Sequence, residues 1–343
     1  TSFTHPHPPF SCAQKYWDLY KDSEIDMPKI GRIPPEELDV ASQYLYFGHR
    51  RNRYKIEDEH IRAARRAYYG MISYVDELIG SVIDTLSEAG LEDDTIIIFA
   101  SDHGEMLGER GMWYKMTMYE WSVRVPIIVS GKGISSSRLS QNISLADIAP
   151  TLVDLGGGDP KKLPVPLPGS SFKKLVETGA DASWPDTVIS DYSAGAVPGP
   201  MRMVKKGDLK LIDVCDHDPF LINLKEDPDE LINIAGRPDM NQALAELTEL
   251  AHKDHSPKKY KAKIEQSQKE RIFIRDLTVD DENEPNWAFV SKPGDETRFV
   301  RGGGLKKGAH ATKSAAQLPR AFEASETVDE TGEPAMIYRH AQT

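Results

Sequence analysis

The residues with the densest chemical potential lie at 101–115, SDHGEMLGERGMWYK. Asp102 and His103 stand side by side, followed by Gly104. A carboxylate oxygen and an imidazole nitrogen are two ligand types, and glycine lets the backbone come close to a bound group. A hard divalent cation accepts a carboxylate readily and needs further oxygen ligands from elsewhere in the fold. Lys115 offers a point cation. Taken alone, the same residues also read as a capped turn, a surface histidine and a solvated lysine. Glu105, Glu109 and Arg110 read as turn-stabilising side chains. A second candidate is 4–10, THPHPPF, where His5 and His7 sit between prolines on a stretch that cannot be helix interior. Imidazole changes protonation near neutral pH and suits proton donation, although a plain surface loop has the same composition. A third is Asp191 beside Tyr192, a carboxylate next to an aromatic side chain. The alternative there is an aspartate that merely ends a strand.

These residues need elements to hold them. Apolar residues from Ile61 to Leu86 recur at three- and four-residue spacing and predict one helix over 57–90, with acidic residues near its start and Gly90 as its stop. The run TIIIFA at 95–100 and a second at 125–129 are short and β-branched, which favours buried strands. Asp102 and His103 then emerge at the carboxyl end of a strand, where open α/β sheets build their sites. A helical pattern over 145–155 follows, closed by three glycines. Helix, strand, strand, helix is α/β grammar, and it predicts parallel strands covered on both faces. The Pro- and Gly-rich stretch 161–185 reads as a crossing loop. Short strands are expected at 187–191, 201–205, 209–213 and 220–223, with KKGD at 205–208 as a hairpin turn and a closing helix at 239–253. The expected organisation is a large α/β portion at 1–160, a connecting loop at 161–186 and a small sheet-and-helix portion at 187–253. The remainder, 254–343, is a polar tail that is either an oligomerisation arm or disordered.

Composition narrows the partners. Forty-two basic and 54 acidic residues give a net charge of -12, unfavourable for nucleic acid or an anionic membrane surface. No run approaches the ~18 apolar residues of a membrane helix. Cys12 and Cys215, the only cysteines, exclude a disulfide framework and a thiolate zinc cluster.

The order strand, D-H-G, L-G-E-R, G-x-W-Y-K, then R-V-P resembles the second metal-binding signature of the sulfatases of the alkaline-phosphatase superfamily, nearest in pattern to the choline-sulfatases. The stretches AYYGMISYVDELIG at 67–80, SLADIAPTLVDLGG at 144–157 and FLINLKEDPDELINIAG at 220–236 are similar to other family segments, with Asn223 in place of an acidic residue. The resemblance covers roughly 1–250. It implies an α/β fold of the alkaline-phosphatase type, a mostly parallel sheet covered by helices with a smaller C-terminal antiparallel sheet plus helix. It implies that Asp102 and His103 ligate a divalent metal, Ca2+ before Mg2+ or Mn2+, and that His103 touches sulfate or nucleophile. His7, in an H-x-P element, and Lys115 would contact the sulfate or the leaving oxygen. Asp191 and Tyr192 would occupy the place of a Glu-Tyr pair that faces choline. The family's nucleophile is a formylglycine made within C/S-x-P/A-x-R, and neither cysteine lies in that context. The expectation is therefore a chain that lacks an N-terminal segment carrying the nucleophile and the remaining metal ligands, and is inactive alone. The implied reaction is hydrolysis of a small sulfate ester such as choline sulfate, by a cytoplasmic homo-oligomer that meets neither nucleic acid nor membrane. Alternatives are a phosphonate monoester hydrolase or phosphodiesterase of the same superfamily and a catalytically dead scaffold.

Overall fold

In the computed structural model, residues 1–278 are described except 50, 195, 196 and 198, together with the backbone of two short paired strands, Arg301–Gly302 and His310–Ala311. The rest of the expected tail lies outside the described residues. A one-turn helix α1 (Gln14–Trp17) and then α2 (Val40–Gly48) follow the proline-rich start. The Asp39 side chain caps α2 by accepting from Ser42 N at 3.1 Å. The predicted long helix is α3 (Asp58–Glu88), with Asp58 and Glu59 in its first turn, where the helix dipole favours negative charge. It stops just before Gly90, whose φ of 69° lies in the left-handed region.

The two apolar runs form β1 (Ile97–Ala100) and β2 (Ile127–Ser130), separated by a loop that contains the four-residue helix α4 (Glu120–Val123). The two strands pair antiparallel, Ala100 opposite Ile127, so the expectation that they run parallel to each other is corrected. The reason is the loop between them, which closes on itself. Gly104 N donates to Ser122 O at 2.7 Å and Glu105 N to Trp121 O at 2.9 Å. A chain that leaves one strand and returns at the same end must run back antiparallel. The α/β class itself holds: helices and sheets alternate through the first half of the chain.

Helix α5 (Ile148–Leu155) occupies the predicted position, entered through a capping box in which Ser144 and Asp147 bond each other's backbone. The stretch 161–185 is not loop throughout, because Lys173–Thr178 forms a short helix, α6, that buries Leu175 and Val176 and ends at Gly179. Strands β3 (Thr187–Tyr192), β4 (Met201–Lys206), β5 (Leu209–Val214) and β6 (Phe220–Asn223) make an antiparallel meander. Helix α7 (Asn241–His252) packs against β4 and β5.

Alternation along the strands gives this sheet two different faces. Met201, Met203, Ile212, Val214 and Ile222 join a core cluster with Leu45, Met106, Met112 and Tyr119. Val204, Leu211 and Leu221 face the other way, onto Leu247 and Ala251 of α7. Because the first cluster draws on both sequence halves, 1–49 and 57–255 form one compact unit, undivided at the expected 161–186 connection. Among the described residues, 51–56 and 256–278 belong to a second unit. Its described part includes α8 (Pro257–Thr278), a helix where the sequence suggested extended or disordered chain. Lys, Ala, Glu, Gln and Arg in that stretch are strong helix formers, and Pro257 sits at the first helical position, where proline is tolerated.

Candidate active site

The turn after β1 is built by short-range polar contacts. Ser101 Oγ donates to His103 O at 2.9 Å, and His103 N donates to Asp102 Oδ1 at 3.0 Å. His103 Nδ1 lies 2.8 Å from Gly104 O, and a carbonyl only accepts, so the ring proton sits on Nδ1. That leaves Nε2 as the nitrogen able to ligate, 3.6 Å from Asp102 Oδ2 on a largely exposed carboxylate. A Cβ at Gly104 would fall 2.2 Å from Trp121 O, so only glycine lets the turn sit against α4.

The loop that follows carries Leu107, Arg110 and Tyr114 at positive φ, a conformation costly for side-chain-bearing residues unless its surroundings enforce it. Glu105 provides much of that enforcement: its Oε1 accepts from Tyr114 N at 2.6 Å and Leu107 N at 3.3 Å. Burial pushes the Glu105 carboxyl up, while backbone donors and the nearby Lys115 and His103 charges pull it down. The carboxylate thus lies within electrostatic reach of both predicted site residues. Glu109 accepts from Lys29 N and Ile30 N, both at 2.9 Å, and the Arg110 guanidinium lies 4.1 Å over the Tyr119 ring. Lys115 is fixed through its carbonyl, which accepts from Ser122 Oγ at 2.5 Å. Among the described residues its ammonium makes no ion pair.

The proline-rich start reaches this loop through Phe10. Its ring meets Tyr68 edge-on at 5.7 Å and lies 6.3 Å from Trp113, two residues before Lys115. Burial and then the Glu105 charge push the Tyr68 hydroxyl up to about 12, so it stays protonated. His7 is exposed, with Nδ1 2.6 Å from Pro8 O, which orients Nε2 as the free ring nitrogen. His5 instead packs edge-on against Tyr74 at 5.4 Å.

Asp191 and Tyr192 do not share an environment. As successive strand residues they face opposite sides of the sheet. Tyr192 packs against the cluster that contains Met106 and Met112. Asp191 lies on the α7 side in a bidentate pair with Arg202, at 2.6 and 2.7 Å, and Arg202 also donates to Ala251 O. Its charge is already matched.

Asp102 and His103 Nε2 suit one side of a divalent-cation site. Among the described residues no third His, Cys, Asp or Glu gathers with them, so the donor set fits such an ion in part. Sequence reasoning missed a group of four charges beside the loop. Lys210, wholly buried in β5, donates to Glu230 at 2.8 Å and to Glu120 at 3.1 Å, and Lys205 reaches Glu120 at 3.4 Å. The signal was available: Lys210 occupies the alternation that Ile212 and Val214 continue into the core.

Comparison with known proteins bears on this geometry. Residues 1–158 match the family model "Sulfatase", and residues 108–256 match "N-sulphoglucosamine sulphohydrolase, C-terminal". The chain is 40% identical over 238 residues to a choline-sulfatase of Rhizobium meliloti (strain 1021), covering 69% of this chain and 46% of that protein. It is 31% identical over 264 residues to arylsulfatase K of Bos taurus, covering 70% and 47%. Among solved structures, the phosphonate monoester hydrolase of Agrobacterium radiobacter superposes with a TM-score of 0.61 at 26% identity, covering 72% of this chain and 54% of that one. The chain spans about half the length of the curated relatives it matches. With two family models running from residue 1 to residue 256 and the D-H-G turn built as described, the chain belongs to the sulfatase family.

Proposed function

We propose that this chain supplies part of the active site of a sulfuric ester hydrolase acting on choline sulfate or a similar alkyl sulfate. One observation carries the reading: the Asp102–His103 turn and Lys115 hang from the same segment, 121–122, by three hydrogen bonds. A potential metal ligand pair and a cation with no ion pair among the described residues are thereby held on one scaffold. Hydrolysis adds water across the S–O bond, releasing alcohol and sulfate with a proton. Asp102 and His103 Nε2 would hold part of a divalent ion, Ca2+ in this proposal, which when bound offsets charge on the sulfate oxygens. Lys115 offsets charge on the leaving oxygen, and His7, on the segment pinned by Phe10, donates the proton that oxygen needs. No C/S-x-P/A-x-R occurs in the 343 residues, so the proposed formylglycine nucleophile comes from outside them, and the other metal ligands come from outside the described residues. The 40% identity to a choline-sulfatase supports the alkyl substrate. A cytoplasmic homo-oligomer remains the proposed setting, in keeping with two free cysteines.

The test is made in protein that includes the nucleophile. Asp102→Ala is expected to lose the bound metal and most activity while keeping the fold. Lys115→Ala should keep the metal and lower kcat, by about a hundredfold if it acts on the leaving oxygen. Full metal occupancy of Asp102→Ala by elemental analysis would remove that assignment. A second reading, phosphonate monoester hydrolysis, is favoured by the Agrobacterium radiobacter structure. Rates on choline sulfate, an aryl sulfate and a phenyl phosphonate ester, measured side by side, decide between them.

A further inference from the structure

We propose that Lys210, Glu230 and Glu120 are positioning residues that set the Asp102–His103 turn and Lys115 from the four-stranded sheet. The inference rests on the reading of that turn as the catalytic centre. Lys205 and Lys210 stand directly opposite each other on β4 and β5, where like charges repel. Glu120 lies between them, with Oε1 3.1 Å from Lys210 Nζ and Oε2 3.4 Å from Lys205 Nζ. Glu230, 2% exposed, completes the group: Oε1 accepts from Lys210 Nζ at 2.8 Å, and Oε2 accepts from Glu120 N at 2.8 Å. Glu230 is itself held, at φ 53°, by Arg110, which donates to its carbonyl at 2.9 Å. Two lysines and two glutamates balance in charge.

Burying such a group is a poor way to stabilise a fold, since well-packed apolar residues commonly do as well. What charges add is direction. Glu230 accepts from the backbone N–H that opens α4, and so fixes where residues 120–122 lie. Those residues carry the site. Trp121 O holds Glu105 N, Ser122 O holds Gly104 N, and Ser122 Oγ holds the carbonyl of Lys115. The sheet therefore reaches both halves of the site through one short helix, although Lys210 and Glu230 make no bond to the site residues themselves.

The test uses the complete protein and the paired variant Lys210→Met/Glu230→Met, which removes both charges together and leaves neither lysine nor glutamate orphaned. Its urea midpoint is expected to stay close to wild type. Amide hydrogen exchange at Gly104 and Glu105 should accelerate by about tenfold or more, while Leu211 and Ile222 in the sheet keep their protection. On a sulfate ester, kcat should fall about tenfold or more with KM unchanged. If the paired variant does not fold, Glu230→Gln is read in the same way. Unchanged exchange at the two turn amides, exchange faster evenly over β3 to β6, or faster turn exchange with kcat intact each overturns the inference. Wild-type protein that hydrolyses no sulfate ester sinks the proposed function alone, because the exchange readout does not depend on turnover.

Discussion

Asp191 shows how far a side chain's chemistry depends on which way its strand faces. In the sequence it offers a carboxylate beside an aromatic ring; in the fold the ring joins one core and the carboxylate serves Arg202 on the other side. A half-exposed bidentate pair of this kind contributes about 1 kcal/mol. Asp191→Asn is therefore expected to lower the unfolding free energy by roughly that amount in urea titrations. Its kcat/KM should change equally for choline sulfate and an aryl sulfate. A loss of ten- to a hundredfold on choline sulfate alone would instead show that Asp191 reads the cationic head group. The Asp102–His103–Gly104 turn was legible as a turn because its residues are contiguous and bond one another, which also fixes the histidine tautomer. Lys210 and Glu230 were not, because their meaning lies in contacts 20 residues apart with each other, 90 from Lys210 to Glu120, and 110 and 120 from Glu230 to Glu120 and Arg110.

At the level of elements, period and propensity gave α3, α5, α7 and the four-stranded meander to within a few residues. The failures share one cause, which is that local composition hid a non-local constraint. Proline and glycine around 161–185 masked the Leu175–Val176 face that calls up α6. Strand character at 95–100 and 125–129 said nothing of direction, which the Gly104–Ser122 closure decides. The link between β5 and α4 has a measurable pH signature. Burial raises the Glu120 carboxyl, but the Lys210 and Lys205 charges outweigh it and hold it below its ordinary 4.5. A carboxyl depressed in the folded state binds its proton less readily there than in the unfolded chain. Its contribution is complete above pH 4.5 and is lost as pH falls through the lower folded value. Urea midpoints between pH 6 and pH 3 should thus fall less steeply for Glu120→Gln than for wild type. Parallel curves would show that the two lysines do not act on this carboxylate.

At the level of the whole molecule, the Asp102–His103 turn is backed by the four-stranded sheet through α4. Among the described residues one carboxylate and one imidazole fall far short of the six to eight oxygens that calcium takes, so the chain is expected to bind Ca2+ more weakly than about 1 mM by calorimetry. Tighter binding would mean that ligands beyond Asp102 and His103 assemble within this chain. The β1–β2 pair has a different consequence. Among the described residues each of these strands keeps one edge without a neighbour, and the opposed side chains Phe99 and Ile128 are 37% and 59% exposed. An apolar ribbon with open edges is a template for further strands. Left uncovered, it makes the chain a seed for its own polymerisation, with the mutual repulsion of molecules at net charge -12 as the brake. Salt screens that repulsion and leaves the template intact, so added electrolyte drives such a chain out of solution by releasing the brake.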